Sequence, residues 1–345
     1  MENFEFVGYR FPAEWERHEA TWLTWPYREE SFPENLHVVY EQYVCFIGQI
    51  AKSEKVRINI PDEGQKAVLY SWLEKLSLGD ENIQCFIHPS NDVWCRDHGP
   101  AFIVNPKAVY PKAIVDWEFN AWGGKYPSNF DNQIPQFIAS TFSLPYVSPG
   151  IVMEGGSVDF NGEGDLLTTT ACLLNKNRNP HLSQKQIEEY LRKYYGVHNI
   201  IWLGDGIAGD DTDGHVDDIT RFVDANTIIT VIEHDKSDEN YEPLKENARK
   251  LAKVRLANGK QPDIVELPMP KPLYYKADRL PASYANFYFA NSALIVPVFN
   301  CDADEKVLEI LSNLIKDRPV VGIDSSNIVR GLGSFHCLSQ QEPLV

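Results

Sequence analysis

Hydrophobic and polar positions change rhythm many times along this chain. Lys55-Val56-Arg57-Ile58-Asn59-Ile60 alternates apolar and polar residues, the period of a strand with one buried face. Short apolar or β-branched runs at 83–87, 101–104, 200–203, 227–232 and 293–298 predict further strands. Helical spacing lies between them. Ile187, Tyr190, Leu191 and Tyr194 share one helical face; Ser183 and Gln186 carry a capping-box signature, and Gly196 ends the stretch. Val307, Leu308, Leu311, Leu314 and Ile315 form a second such face, begun by Asp302 or Asp304. Pro319 separates that helix from a strand at 320–323. The polar stretch 233–242 reads as a loop before another helix.

The rhythm is strand-strand-helix-strand, repeated several times, rather than a Rossmann βα alternation. It predicts an α/β fold whose site is central and fed by Gly-rich loops from several units. No GxGxxG follows an early strand and no GxxxxGK[ST] occurs, so nucleotide binding is unsupported. No linker or low-complexity tract divides the 345 residues, and a 43% hydrophobic content suffices for a sizeable core.

Charge and cysteines narrow the partners. A net charge of -17 argues against nucleic acid and anionic membranes and favours small cationic ligands. Residues 1–5 lack a basic leader and no apolar run approaches the roughly 20 residues of a membrane span, so a cytoplasmic protein is expected. The six cysteines are scattered without a CxxC pair, which predicts no zinc site and reduced thiols, mostly small core residues. A homo-oligomer is compatible with the sequence.

Candidate chemistry lies in short polar segments. Cys337 follows Gly331-Leu332-Gly333-Ser334-Phe335-His336, whose glycines permit close ligand approach. On an extended chain His336 would point away from Cys337, which makes it a poor base. An extended Gly214-His215-Val216-Asp217 would place His215 and Asp217 on one face and Val216 in the core. Trp94 could stack on a planar cation, close to Arg96 and Asp97. Glu154-Gly155-Gly156-Ser157 and Trp122-Gly123-Gly124 are turn-like, and each could be a plain loop. A thiol, an imidazole and several carboxylates suit nucleophilic attack on a cationic carbon.

Together these segments resemble agmatine deiminases, within a wider group that includes bacterial peptidylarginine deiminase-like, guanidine-modifying enzymes. The resemblance rests on Trp94-Cys95-Arg96-Asp97-His98-Gly99-Pro100, Phe119-Asn120-Ala121-Trp122-Gly123-Gly124, Glu154-Gly155-Gly156-Ser157 and Asn177-Arg178-Asn179-Pro180. It continues through Gly214-His215-Val216-Asp217, Ala282-Ser283-Tyr284-Ala285-Asn286-Phe287-Tyr288 and His336-Cys337-Leu338-Ser339-Gln340-Gln341-Glu342-Pro343. It implies one domain over 1–345, a five-fold pseudosymmetric α/β propeller of ββαβ units (the pentein fold), without metal or organic cofactor. It implies Cys337 as nucleophile, His215 as acid and base, Asp97 and Asp217 on the guanidinium, and Glu154 supporting His215. Trp94, Trp122, Asp211 and Gly333 would line the substrate, with Asp210 an alternative to Asp211 for its distal amine.

Departures cluster around the substrate tail. Asp211 stands where the family has glutamate, Asp213 and Asp218 where it has asparagine, and G-L-G-S-F-H-C replaces G-G-G-N-I-H-C. Deimination of agmatine to N-carbamoylputrescine and ammonia, for polyamine synthesis, is the leading expectation. Peptidylarginine deimination shares its chemistry, free arginine lacks a clear basic partner for its carboxylate, and a noncatalytic cation-binding module is the reading from another class.

Overall fold

The computed structural model describes residues 6–345; residues 1–5, read above for a leader, lie outside them. Every strand expected from the hydrophobic rhythm forms, with boundaries within one residue of the expected ones. The helix Gln184–Tyr195 carries the full capping box, with Ser183 accepting from the Gln186 backbone and the Gln186 side chain accepting from Ser183 N at 2.9 Å. It ends at Gly196, whose φ of +70° and 2.2 Å Cβ approach to the Tyr9 carbonyl admit no side chain. The helix Ala303–Leu314 starts differently from its simplest expectation. Asp302 makes no capping bond, and Asp304 instead accepts from the backbones of Phe299 and Cys301. The 233–242 stretch is a loop up to Tyr241, where the helix Tyr241–Leu251 begins.

The predicted strand-strand-helix-strand rhythm recurs with one pairing pattern. Ala101–Val104 pairs antiparallel with Lys112–Val115, which pairs parallel with Tyr146–Val147 across the helix Ile134–Phe142. Val158–Phe160, Asp165–Thr169 and Asn199–Leu203 repeat that order around Gln184–Tyr195. So do Thr220–Phe222, Thr227–Ile232 and Asp263–Pro268, and then Tyr288–Ala290, Ala293–Val298 and Val320–Asp324. The remaining unit joins distant parts of the sequence. Ser339–Pro343 pairs antiparallel with His18–Thr24, which lies parallel to Lys55–Ile60 across the helix Leu36–Ile50, and Ile83–Ile87 extends that sheet.

The middle strand of each unit is buried along nearly all its length, as two-sided packing requires. Burying each of its aliphatic side chains is worth about 1.5–3 kcal/mol, so a one-residue slip would forfeit several such terms. The fold is mixed α/β, and among the described residues no helix is long and apolar enough to cross a membrane. Only Cys95, Cys172 and Cys337 are buried; Cys45 is exposed and Cys85 and Cys301 are partly so, which corrects the expectation of mostly core cysteines.

Candidate active site

A short polar turn precedes the first strand of every unit. Cys95–His98 leads into Ala101–Val104, Gly155–Ser157 into Val158–Phe160, and Val216–Asp218 into Thr220–Phe222. Residues 283–286 lead into Tyr288–Ala290, and Phe335–Leu338 into Ser339–Pro343. Four of these turns, Cys95–His98, Gly155–Ser157, Val216–Asp218 and Phe335–Leu338, touch one another in sequence of contact. They carry Asp97, Glu154, His215 with Asp217, and Cys337; the fifth carries Asn286. All six are buried.

Backbone and indole donors fix the first carboxylate. Gly156 N donates to Asp97 Oδ1 at 2.9 Å and Trp122 Nε1 to Oδ2 at 3.0 Å. His215 is a neighbour of three acids, with Nδ1 3.7 Å from Asp97 and 3.9 Å from Asp217, and Nε2 4.0 Å from Glu154. Both its nitrogens and Asp217 Oδ1 are buried without a hydrogen-bond partner. Asn286 holds the turn that carries Cys337. Its Oδ1 accepts from the backbones of His336 and Cys337, and its Nδ2 lies 2.9 Å from both Cys337 Sγ and Asp218 Oδ1. Cys337 Sγ lies 3.6 Å from Asp217 Oδ2.

Gly156 forms the floor. A Cβ there would fall 2.6 Å from His215 Nδ1, 2.9 Å from Asp97 Oδ1 and 3.0 Å from Asp217 Oδ2. Glu154-Gly155-Gly156-Ser157, turn-like in sequence, is thus no plain loop: three functional groups converge on it.

The electrostatics follow from carboxylates crowded in a buried space. Burial, then Asp217 and Glu154, push Asp97 well above the usual carboxylate range. Burial, with Asp217 and Asp210, does the same to Asp218. Burial also raises Glu154, although Arg178 opposes it. Asp217 moves the other way: burial disfavours its charge, but His336, His215 and Arg221 outweigh burial and hold it low. His215 is pushed down to about 3, burial outweighing the pull of Asp217. Burial and the three aspartates push the Cys337 thiol up. Burial thus favours the neutral His215 imidazole and the protonated Cys337 thiol, and the crowded carboxylates favour a cation beside them.

A cavity of about 810 Å³ opens onto this cluster. Asp97 and Cys337 line its deep end; Trp94, Trp122, Asp210, Asp211 and Tyr126 line its walls. Asp211 is tied to Lys125 at 3.3 Å and accepts from Tyr126 Oη at 2.8 Å. The Asp210 carboxylate is used within its own loop, accepting from Thr212, Gly214 and His215 backbones.

Several expectations need correction. Gly333 does not line the cavity; Gly331 and Leu332 do, while Gly333 lies under Trp94, where a Cβ would approach the indole to 2.5 Å. His215 and Asp217 are neighbours through a 3-10 turn rather than an extended strand, because Gly214 at φ +101° turns the chain first; Val216 is buried as expected. His336 does not lie on an extended chain. It belongs to the turn Phe335–Leu338, with Nδ1 2.6 Å from Asp217 and Nε2 2.8 Å from Glu14.

Four groups carry no chemical signature in the sequence. Asn286 and Arg178 sit inside the family motifs quoted above, yet nothing local marks them. Arg178 donates from Nε to Glu154 at 2.6 Å and from Nη1 to Asp213 at 2.6 Å. Glu14 and Arg221 join Asp159 beneath the site, with Arg221 3.1 Å from Glu14 and 2.6 Å from Asp159.

The likenesses to known proteins agree with this geometry. An agmatine deiminase of Medicago truncatula is 35% identical over 372 residues, covering 99% of this chain and 98% of its own. A solved Cys-to-Ser variant of C. jejuni agmatine deiminase with substrate bound is 37% identical, with a TM-score of 0.87 over 99% of this chain and 98% of its own. The solved agmatine deiminase of Enterococcus faecalis is 30% identical, with a TM-score of 0.92 and the same coverage. The profile of Porphyromonas-type peptidyl-arginine deiminases matches residues 10–343, and with these relatives at full length the chain belongs to that family.

Proposed function

We propose that this protein hydrolyses agmatine to N-carbamoylputrescine and ammonia. The observation that carries the reading is the set of buried, unpartnered polar atoms, His215 Nδ1 and Nε2 and Asp217 Oδ1, gathered beside Cys337 in an anionic pocket. Buried polar atoms are rarely left unpaired, and a flat cation with several N–H donors would satisfy them. The relatives named as agmatine deiminases support the substrate, and one of them holds its substrate as a cysteine-to-serine variant.

Asp97 and Asp217 would grip the guanidinium through charge-assisted hydrogen bonds and fix its carbon over Cys337 Sγ. The cation's charge offsets the carboxylates that hold the thiol proton in place, and that proton passes to His215. Thiolate attack gives a neutral tetrahedral adduct. The His215 imidazolium, flanked by Glu154, Asp97 and Asp217, returns its proton to a departing nitrogen, and ammonia leaves. The remaining cationic amidino-thioether is attacked by water, whose proton His215 accepts. Collapse breaks the C–S bond and releases the ureido product; the adduct's hydroxyl proton restores the Cys337 thiol, and the proton held by His215 passes to solvent, where it makes ammonium of the ammonia already released.

The five repeated units would form a single domain arranged as a five-bladed propeller, with the five polar turns meeting on its axis. Contacts between Ser339–Pro343 and Ala101–Val104, and between Val158–Phe160 and Thr220–Phe222, support a ring of first strands. A cytoplasmic enzyme acting on a small dication, with no nucleic acid, membrane, metal or cofactor, completes the reading. Ammonia release from agmatine, free arginine and a blocked arginyl peptide tests it. Agmatine should be the best substrate, and a preference for the peptide would replace this reading with peptidylarginine deimination.

A further inference from the structure

Directly before the nucleophile lies a buried histidine that the reaction above does not use. His336 is 2% exposed and does not line the substrate cavity. Its Nδ1 is 2.6 Å from Asp217 Oδ2 and its Nε2 is 2.8 Å from Glu14 Oε2. Two carboxylate oxygens facing two ring nitrogens are satisfied together only when both nitrogens carry protons, since a carboxylate offers no donor. Its surroundings are otherwise balanced. Arg96 and Arg221 both reach Glu14, at 3.0 and 3.1 Å, and Arg221 also pairs with Asp159. Arg96 Nε donates to the His336 carbonyl at 3.3 Å. Further titratable groups surround this pair: Asp97 and Tyr195 share a water-sized chamber with His336, His215 and Cys337 face Asp217, and Asp210 and Asp218 also act on Asp217.

The consequence falls on Asp217. Its two oxygens have divided labour: Oδ2 is held by His336 and touched by Cys337, while Oδ1 has no partner and faces His215. The site crowds Asp97, Asp217, Asp218 and Glu154 into one buried volume. Arg178 offsets Glu154, but Asp97, Asp217 and Asp218 cannot all ionise there without a cation of their own. We propose that His336, held as an imidazolium between Asp217 and Glu14, is a positioning residue that keeps Asp217 ionised and turned so that Oδ1 meets the guanidinium. Glu14, delivered from the opposite end of the sequence, holds the imidazolium in place. This inference rests on the guanidine reading above, and the protein touches substrate through Asp217, never through His336.

Agmatine affinity measured by calorimetry on the Cys337→Ala protein, with and without His336→Gln, between pH 5 and 8, tests it. Glutamine can donate one hydrogen bond but carries no charge. At neutral pH the added change should weaken binding roughly tenfold, the scale of one charge-assisted contact. The gap should widen as pH falls, because Asp217 without its cation takes up a proton at higher pH than it does beside His336. In the otherwise native enzyme, His336→Gln should raise KM more than it lowers kcat and move the acid limb of kcat/KM upward. Glu14→Gln should shift both in the same direction by less. A folded His336→Gln protein whose affinity stays within about twofold across that range overturns the proposal, as does a fall in kcat with KM unchanged. Failure of the Cys337→Ala parent itself to bind agmatine would instead strike the substrate reading, so the two failures separate.

Discussion

The two ends of the substrate cavity are built on different terms. At the deep end buried bonds from elsewhere in the chain fix three of the groups, Asp97 by Gly156 N and Trp122, Cys337 by Asn286 and Glu154 by Arg178, and leave the His215 ring nitrogens free among them. At the outer end Asp211 is about one-third exposed and meets Lys125 and Tyr126, which are themselves partly in solvent. The short hairpin of Tyr274–Tyr275 and Asp278–Arg279 forms another part of that wall. Shifting a deep group leaves buried polar atoms unpaired, whereas an outer contact can be exchanged for water at little cost. Two of the three acidic departures from the family pattern, Asp211 and Asp213, fall on the loop that runs between these ends. Asp218 is the exception, buried against Asn286. Chemistry is thus fixed while the choice of tail stays adjustable.

The sharpest test of that division is Cys337→Ala. Turnover should fall roughly 10⁴-fold or more, because a group that forms the covalent bond cannot be replaced by its neighbours. Calorimetry should still register agmatine binding, and normal turnover would remove the covalent route altogether.

Next come the carboxylates. Asp97→Asn and Asp217→Asn should each lower kcat/KM by about tenfold to a hundredfold or more, from loss of roughly 1.5–3 kcal/mol of charge-assisted contact. Asp213→Asn should cost much less. Asp213 is not simply solvated, as it pairs with Arg178 at 2.6 Å and Asn177 at 2.9 Å, but Arg178 and Glu154 stand between it and His215. Thermal melts add a second arm. Asp97 is raised above its unfolded value, so its carboxyl favours the fold while protonated and costs stability once pH climbs above the unfolded value. Asp97→Asn removes that pH-dependent cost but sets an amide NH2 against Gly156 N or Trp122 Nε1, so its melting temperature should fall less than the native protein's as pH rises through the unfolded carboxyl range. Equal, small activity losses at all three positions would mean that the cation sits elsewhere.

The smallest effect should come from the outer end. The native enzyme should favour agmatine over arginine by at least roughly a hundredfold in kcat/KM, about 2.7 kcal/mol, since acids outnumber the arginines Arg28, Arg279 and Arg330 along the cavity and that balance disfavours arginine's carboxylate. Asp211→Ala should narrow that ratio several-fold, chiefly through agmatine, the scale of one partly exposed ion pair. An unchanged ratio would pass the role of ammonium partner from Asp211 to another acid of the wall.

What was legible in the sequence follows the same physical line. Strands and helices that bury one face declare themselves by periodicity, and the capping box of Ser183 and Gln186 declares its helix start. The mixed α/β class and its repeating rhythm came from those signals, and the motifs placed Cys337, His215, Asp97, Asp217 and Glu154 in one cluster. Partnerships across the chain left no such trace. Glu14 and His336 are 322 positions apart and meet at 2.8 Å, and no period links them. His336 was misjudged for a local reason: alternation holds only on a strand, and four residues of helical turn bring it onto the same carboxylate as its neighbour Cys337. Gly333 carried the right motif but the wrong role, because a glycine that admits a ligand and one that admits an indole look alike in a sequence.

The pairing of Ser339–Pro343 with His18–Thr24 also sets a timetable. During synthesis the first site carboxylate, Asp97, leaves the ribosome some 240 residues ahead of Cys337. The strand that closes the first sheet and the thiol that begins the reaction emerge side by side, after every other turn of the site. Until then the acids of the site lack both the closing strand and the Cys337 thiol, and such long-range closure is slow to search for. Closure of the sheet and acquisition of a reactive thiol are therefore one event, and a nascent chain has no half-active stage.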